Sequence, residues 1–202
     1  KNAAETCGMD LTKQITWDSM LEDGKKLHAE NPDYYYLNTD TKILCEYVLR
    51  PYLRQMTGES FIIDSEKKMS FTREQLVEVL TYIKDCYDGG VFEPAEDSAT
   101  FKGQIHTNPK WMDGKFVFAY GPSSSINLLM DAVPEAECTV VQMPMAEDRV
   151  NDGFFADTPQ YMTVNKNSEH VEEAVDFLNY FYNNTEAQET LKDVRSIPPT
   201  ST

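Results

Sequence analysis

The side chains of this chain that could act as bases or nucleophiles do not form a known catalytic motif. Its three histidines are His28, His106 and His170, and no pattern pairs any of them with a nucleophile. The sequence contains no nucleophile elbow, Walker loop, dinucleotide fingerprint or His-Glu-x-x-His zinc motif. The serine run at 123–125 has no identifiable base, so we interpret it as the start of a helix.

Acidic side chains are the second source of possible chemistry, because the chain holds 34 Asp and Glu residues. A glycosidase uses two carboxyl groups on either side of a cleft. Candidates for such a pair are Glu93, Glu96 and Asp97, so a glycosidase stays an alternative. Segment 148–153 resembles the start of a calcium loop, but Val150 and Pro159 stand where oxygen ligands are required. We therefore predict no EF-hand, no dedicated metal site and no cofactor, while a casually bound metal in that loop stays open.

Aromatic side chains are more informative, because several lie at or beside the ends of predicted strands. Ligands of α/β proteins bind beyond the carboxyl ends of the strands, and an aromatic ring can pack on the apolar face of a sugar. We expect Tyr35 and Phe118 to fill the core. Core and ligand-binding roles stay open for Tyr34, Tyr36, Trp111, Tyr120, Phe154, Phe155 and Tyr161.

Composition limits the class of function. The chain has 202 residues, a formal net charge of −16 and 41% hydrophobic residues, which suffices for a folded core. Such an acidic surface disfavours nucleic acids and anionic membranes as partners. No apolar run reaches the roughly 18 residues that a membrane span needs. The sequence predicts a soluble globular chain of one large domain or two small ones.

The cysteines indicate structural thiols. Cys7, Cys45, Cys86 and Cys138 are far apart and form no Cys-x-x-Cys pair, which disfavours a zinc site or a thioredoxin-like redox site. Cys45 and Cys86 fall on the apolar faces of predicted helices. We therefore predict that both are buried in the core.

Apolar stripes preceded by capping residues predict the helices. The clearest one follows Thr72, which begins a capping box. Further caps stand at Thr16, Ser168 and Thr185. A helix over 43–53 contains Pro51, which should kink or divide it.

Strands alternate with these helices. β-branched and aromatic runs predict strands at 34–37, 116–120, 139–144 and 161–164, and a hairpin over 61–71. This order predicts an α/β fold with a mixed, mostly parallel sheet flanked by helices, and with helices near the carboxyl end.

Four stretches, in order along the chain, resemble the family 1 extracellular solute-binding proteins of ABC importers, the group that includes maltodextrin-binding protein. They are 15–27 with its Thr-Trp-Asp start, 71–91 with its Gly-Gly end, 111–122 with Asp-Gly-Lys, and 164–178 with Asn-Lys-Asn-Ser. A Glu-Ala-Gln helix and an Ile-Pro-Pro tail follow. Each motif is weak alone, but the four together, at this spacing, are fairly specific.

The resemblance implies a periplasmic-binding-protein-like fold of type II, in which two lobes close over a solute. Members run about twice this length, so the first lobe, a signal peptide and a lipidated cysteine are expected before Lys1. Residues 8–150 would form the second lobe. Residues 151–202 would supply a crossing strand, two helices and a proline tail that contact the first lobe.

The resemblance also suggests where a solute would bind. The expected contacts are Asn38, Thr39, Asp40, Trp111, Tyr120, Ser123, Ser124, Phe154, Phe155, Asp157 and Arg195. Sugar-binding members often carry a stacking tryptophan where this chain has Ser123, so the class of solute stays open.

The prediction is a binding protein with no enzymatic activity that captures a carbohydrate and delivers it to ABC permease subunits. It would work outside the cell or at the cell envelope, anchored as a lipoprotein by a segment outside this chain. Two other classes stay open: a carbohydrate-active hydrolase with paired carboxylates, and a protein-binding domain with a large exposed apolar patch.

Overall fold

The computed structural model describes residue 4 and residues 8–63, 65–154 and 162–192. In chain order, the described elements begin with α1 (Trp17–Glu30), β1 (Tyr35–Asn38), α2 (Thr41–Ile43), a π-helical segment (Leu44–Leu49), α3 (Arg50–Thr57), β2 (Ile62–Ile63) and β3 (Lys68–Met69). The chain continues with α4 (Arg73–Asp88), α5 (Ala95–Ser98), α6 (Pro109–Met112), β4 (Phe116–Ala119), α7 (Ile126–Asp131), α8 (Val171–Asn183) and α9 (Thr185–Leu191). Short 3₁₀ turns lie at Ala99–Phe101, Ile105–Thr107 and Ser123–Ser125.

The α/β class is confirmed, with two small sheets. β1 and β4 pair in parallel with Tyr35 opposite Phe116 and Leu37 opposite Phe118. β2 and β3 form the predicted antiparallel hairpin. A parallel bridge between Leu37 and Phe92 extends the pairing on the other side of β1.

The main core lies between α1, α4 and the parallel strands. Trp17 stacks on Tyr52 with 4.8 Å between ring centroids, and Tyr82 meets both rings edge-on. Tyr82 also donates its hydroxyl proton to the Trp17 carbonyl over 2.8 Å. A second cluster centres on Trp111, Phe116 and Val133. Each of the two tryptophans therefore lies in one of the two apolar clusters.

The chain divides into two compact units. Unit 1 comprises Lys1–Gly121 and Leu128–Phe155, and unit 2 comprises Pro122–Asn127 and Ala156–Thr202. Within unit 2, α8 and α9 pack together, and the Gln188 side-chain amide donates to the Phe181 carbonyl over 2.8 Å. None of the helices in the described part of the chain has the length and hydrophobicity that a bilayer crossing requires.

Two predicted caps are confirmed and two are wrong. The hydroxyls of Thr16 and Thr72 each accept the main-chain amide of the N3 residue. The N3 side chain in turn accepts the main-chain amide of the threonine, as a capping box requires. Ser168 instead accepts the amide of His170, just ahead of α8. Asn184 caps α9 in place of Thr185, because its carboxamide oxygen reaches the first free amides of the helix.

The strand predicted at 139–144 does not form. A parallel bridge between Thr16 and Met145 lies just after this run. Glutamine side chains bind its carbonyls in place of a neighbouring strand: Gln14 donates to the Met143 carbonyl and Gln55 to the Pro144 carbonyl. Of the strand predicted at 161–164, residue 161 lies outside the described residues, and 162–164 are not a strand.

Pro51 marks a change of helix type. Proline lacks an amide proton, and its ring crowds the carbonyl four residues earlier. The chain accommodates it with the wider π-helical turns of Leu44–Leu49, in which the Arg50 amide donates to the Cys45 carbonyl. A wider turn alters which residues face inward. Cys45 is therefore exposed, contrary to the prediction, whereas Cys86 is buried as predicted.

Candidate functional site

The parallel pairing brings several predicted site residues to one edge of unit 1. Asn38 lies opposite Ala119 in the register of β1 and β4. Thr39 and Asp40 therefore follow the carboxyl end of one strand, and Tyr120 follows the carboxyl end of the other. This is the edge at which α/β proteins bind ligands.

Asp40 is completely buried, and its carboxylate accepts three main-chain amides. One carboxylate oxygen accepts the amides of Lys42 and Ile43 at 2.7 and 2.9 Å, which caps α2. The other oxygen accepts the amide of Gly103 at 2.7 Å. The side chain thus joins the start of a helix to a distant loop.

Asn38 binds the same loop. Its buried amide donates to the Ile105 carbonyl over 2.9 Å, whereas its Oδ1 is buried without a hydrogen-bond partner among the described residues. Thr39, also buried, donates to the Asp40 carbonyl over 3.3 Å. Asn38 and Asp40 together hold segment 101–107, which we call the edge loop, at the carboxyl end of β1.

The edge loop presents polar groups to solvent. The side chains of Lys102 and Gln104 are exposed, and Gly103 between them has a φ of +75°, in the left-handed region. In the part of the chain that the structure describes, the Lys102 ammonium has no acidic partner within 4.0 Å. No residue of this loop is among those that the sequence predicted to contact a solute.

Tyr120 brings a buried hydroxyl to the same edge. Burial, together with nearby Tyr36, raises the pKa of Tyr120 well above its ordinary value. The hydroxyls of Tyr120 and Tyr36 are both buried and have no hydrogen-bond partner among the described residues. Tyr36 and Asn38 alternate with Leu37 along β1 and share one face of the sheet.

Trp111 serves the second apolar cluster. Only 9% of the residue is exposed, and its indole N–H donates to the Leu129 carbonyl over 3.0 Å. The ring packs with Phe116 and Val133. This placement gives Trp111 a structural role, and its contact with a solute stays a prediction.

The acids of the hydrolase alternative belong to an ion-pair network. Glu93 is buried, accepts the Asn108 side-chain amide at 2.7 Å and pairs with the Lys110 ammonium at 2.5 Å. Asp97 lies 3.6 Å from the same ammonium. Burial opposes the charge of Lys110, but the hydrogen bond to Glu93 and its charge outweigh this, so the pKa of Lys110 is raised. One ammonium therefore faces two carboxylates, and its direct ion pair is with the buried Glu93.

The remaining predicted residues occupy other places. Phe154 is 53% exposed in unit 1, and Ser123 and Ser124 are exposed in unit 2. Phe155, Asp157 and Arg195 lie outside the described residues.

One cavity of about 290 Å³ lies beside α1. It is lined by segment 8–15, by one face of the helix and by Tyr36. None of the described residues predicted to contact a solute lines it. Among the described residues, no three His, Cys, Asp or Glu side chains form a group that could hold a metal ion.

The sequence of residues 9–202 matches the family described as bacterial extracellular solute-binding protein. The chain belongs to this family. The resemblance noted from the four motifs is therefore confirmed.

Solved structures of bacterial extracellular solute-binding proteins share the fold. A periplasmic solute-binding protein from Pectobacterium atrosepticum is 20% identical, with a TM-score of 0.81 over 98% of this chain and 49% of that chain. A periplasmic oligogalacturonide-binding protein from Yersinia enterocolitica, in complex with saturated digalacturonic acid, is 24% identical, with a TM-score of 0.80 and the same two coverages. The chain spans about half the length of these structures.

A de novo designed cysteine esterase also has this fold, with 25% identity and a TM-score of 0.73 over 96% of this chain and 48% of that chain. Its esterase activity belongs to a designed protein. No curated protein matches the chain.

Proposed function

We propose that this chain is part of the substrate-binding component of an ABC importer, and that the intact protein captures a carbohydrate and delivers it to permease subunits in the membrane. The observation that carries this proposal is the family match over residues 9–202. In this proposal, residues 8–150 form one lobe. Residues 151–202 lead back to a second lobe, which the other half of a family member's length would supply.

The solute would bind at the carboxyl edge of β1 and β4. The described residues there fall into two groups. Asn38, Thr39 and Asp40 are buried and bind the main chain, so we assign them a positioning role. The side chains of Lys102 and Gln104 are exposed on the edge loop. They would supply a cation and an amide for hydroxyl or carboxylate oxygens of a sugar.

Capture would proceed by closure of two lobes over the solute. A solute favours the closed form only by contacts that it makes better there than in the open form. A single lobe leaves one side of the solute in water, so we propose that this chain alone binds far more weakly than the intact protein. No covalent step is part of this proposal.

A carbohydrate is the proposed solute because polar side chains lie at the proposed site and an exposed aromatic ring lies elsewhere in unit 1. The exposed ring of Phe154 offers a surface on which a sugar could pack. The related Yersinia protein holds saturated digalacturonic acid, which makes acidic oligosaccharides the first probes. The same proposal places the intact protein at the cell envelope, held there by a lipid anchor.

Isothermal titration calorimetry of the intact protein tests the proposal, with digalacturonic acid, maltotriose and glutamate as separate probes. Binding of a sugar that is recovered intact supports it. A sugar that is cleaved, by a protein that loses cleavage on Glu93→Gln substitution, would establish the hydrolase. Binding of glutamate alone would contradict the carbohydrate proposal while leaving solute capture in place.

A matched pair of variants tests the site. Phe154→Ala should weaken binding of the sugar about tenfold if the ring stacks on it. Phe177→Ala removes a ring of similar exposure, 59%, from α8 in unit 2, and should leave affinity unchanged. Equal affinities for the two variants would remove Phe154 from the site.

A further inference from the structure

The side-chain amide of Gln55, in the last turns of α3, is completely buried and uses its full hydrogen-bonding capacity. Its oxygen accepts the Trp17 indole N–H and the Ala146 amide, both at 2.8 Å. Its nitrogen donates to the carbonyls of Pro144 and Asp152, at 2.9 and 3.2 Å. A carboxamide offers two acceptor sites and two donors, so each one has a partner.

Three of these four partners lie in segment 144–153, which we call the exit segment because the boundary of unit 1 follows at Phe155. The main chain of α3 adds a further contact. The Gln55 carbonyl, in the turn where helical carbonyls have no internal partner, accepts the Val150 amide at 2.8 Å. Arg54 reaches the same segment by donating to the Asn151 side chain over 3.4 Å.

Gly153 closes the exit segment against α3. Its φ is +81°, in the left-handed region. A Cβ placed there would lie 2.9 Å from both the Gln55 Cγ and the Pro51 carbonyl oxygen, so only glycine allows this approach. The fourth partner of Gln55, Trp17, is fixed in the main core by its stacking on Tyr52. The exit segment is therefore bonded through one side chain to the main core of unit 1.

We propose that Gln55 is a positioning residue that fixes the exit segment to unit 1 as far as Gly153. The chain then leaves unit 1 at one defined point.

Hydrogen exchange of the intact protein without solute tests the attachment. Gln55→Met keeps the volume of the side chain and removes its four bonds, so exchange at Ala146 and through 150–153 should accelerate about tenfold. Exchange in α1 and α4 should stay within about twofold of wild type. Equal acceleration in those helices would show that Gln55 contributes only to global stability, and no acceleration anywhere would show that it positions nothing.

Gln55→Glu gives a finer readout. The carboxyl group still accepts the Ala146 amide but cannot make both donations, to Pro144 and Asp152, so amide exchange should accelerate more through 150–153 than at Ala146. Equal acceleration at Ala146 and through 150–153 would contradict the assigned bond directions. Gly153→Ala should reproduce the effect on 150–153, whereas Gly114→Ala, at a φ of +68° with no atom near its Cβ, should not. Because no solute is present, these results stand whether or not the protein binds a carbohydrate.

Discussion

Glu93 and Lys110 form an ion pair whose two partners have different surroundings. The Glu93 side chain is only 3% exposed, whereas the Lys110 side chain is 38% exposed and lies over the Tyr35 ring, 5.4 Å from its centroid. The cost of burial therefore falls mainly on the carboxylate, which depends on lysine for its neutralisation.

Lys110→Met should lower the free energy of unfolding by about 2–3 kcal/mol, less than for a fully buried pair because water reaches the ammonium. Urea denaturation at neutral pH measures this. Lys84→Met is the matched control, since Lys84 and Asp88 form an exposed ion pair one turn apart on α4; its removal should have little effect. Equal losses for the two variants would contradict the assigned role of Glu93.

The same pair predicts a dependence on pH. The folded-state pKa of Lys110 is raised above 10.5, so the stabilisation is complete below pH 10.5 and is lost as the pH rises through the folded-state value. The difference in unfolding free energy between wild type and Lys110→Met should therefore shrink only above that pH. If this free-energy difference already shrinks near neutral pH, the pH dependence belongs to a group other than Lys110.

The two cysteines of the main helices should differ in reactivity. Burial raises the pKa of the Cys86 thiol to about 12, while Cys45 is exposed. At about pH 8, a thiol reagent should label Cys45 in the native protein and reach Cys86 only after unfolding, because the thiolate is the reactive form. Mass spectrometry of labelled peptides decides this, with Cys45→Ser as the control for peptide assignment.

Asp40 provides a test of the edge loop. Asp40→Asn keeps an oxygen that can cap α2 but turns an N–H group toward the Gly103 amide, so exchange at Gly103 should rise while α2 stays protected. Asp40→Ala removes both contacts and should also expose the amides of Lys42 and Ile43. A loop that stays protected in both variants would be held by other contacts.

Gly90 and Gly114 share a φ of +68° and differ in their neighbours. A Cβ at Gly90 would lie 2.0 Å from the His28 ring, whereas one at Gly114 would meet nothing within 4 Å. Gly114→Ala should cost about 1 kcal/mol from backbone strain alone, and Gly90→Ala about 3 kcal/mol because the ring must move as well. Thermal denaturation of the two variants measures this. Equal decreases in melting temperature would show that the His28 ring moves aside at no energetic cost.

Local signals predicted most of the elements around the site. The capping boxes at Thr16 and Thr72 and the apolar stripes behind them depend on residues within a few positions of each other, so the sequence displays them directly. These helix starts need no knowledge of distant neighbours. The positions of Asn38 and Tyr120 at one edge depend on the pairing of β1 with β4, which are far apart in sequence, and the sequence indicated this only as a mostly parallel sheet.

The wrong predictions depend on distant partners or on altered helical geometry. The run at 139–144 has the composition of a strand, but Gln14 and Gln55 occupy its carbonyls in place of a second strand. The inward position of Cys45 assumed an ordinary helical turn, which the π-helical segment replaces. The burial of Asn38 and Asp40 depends on a loop more than sixty residues away, as the Gly103 and Ile105 bonds show.

The pairing of Tyr35 with Phe116 has a consequence for the order of folding. On the ribosome, β1 emerges long before its partner β4, and a contact of such high sequence separation forms slowly. Until then, the apolar residues of β1 have only α1 and the chain that follows to cover them. A nascent chain halted before Phe116 should therefore stay unfolded at β1, while α1 and α4 already form locally.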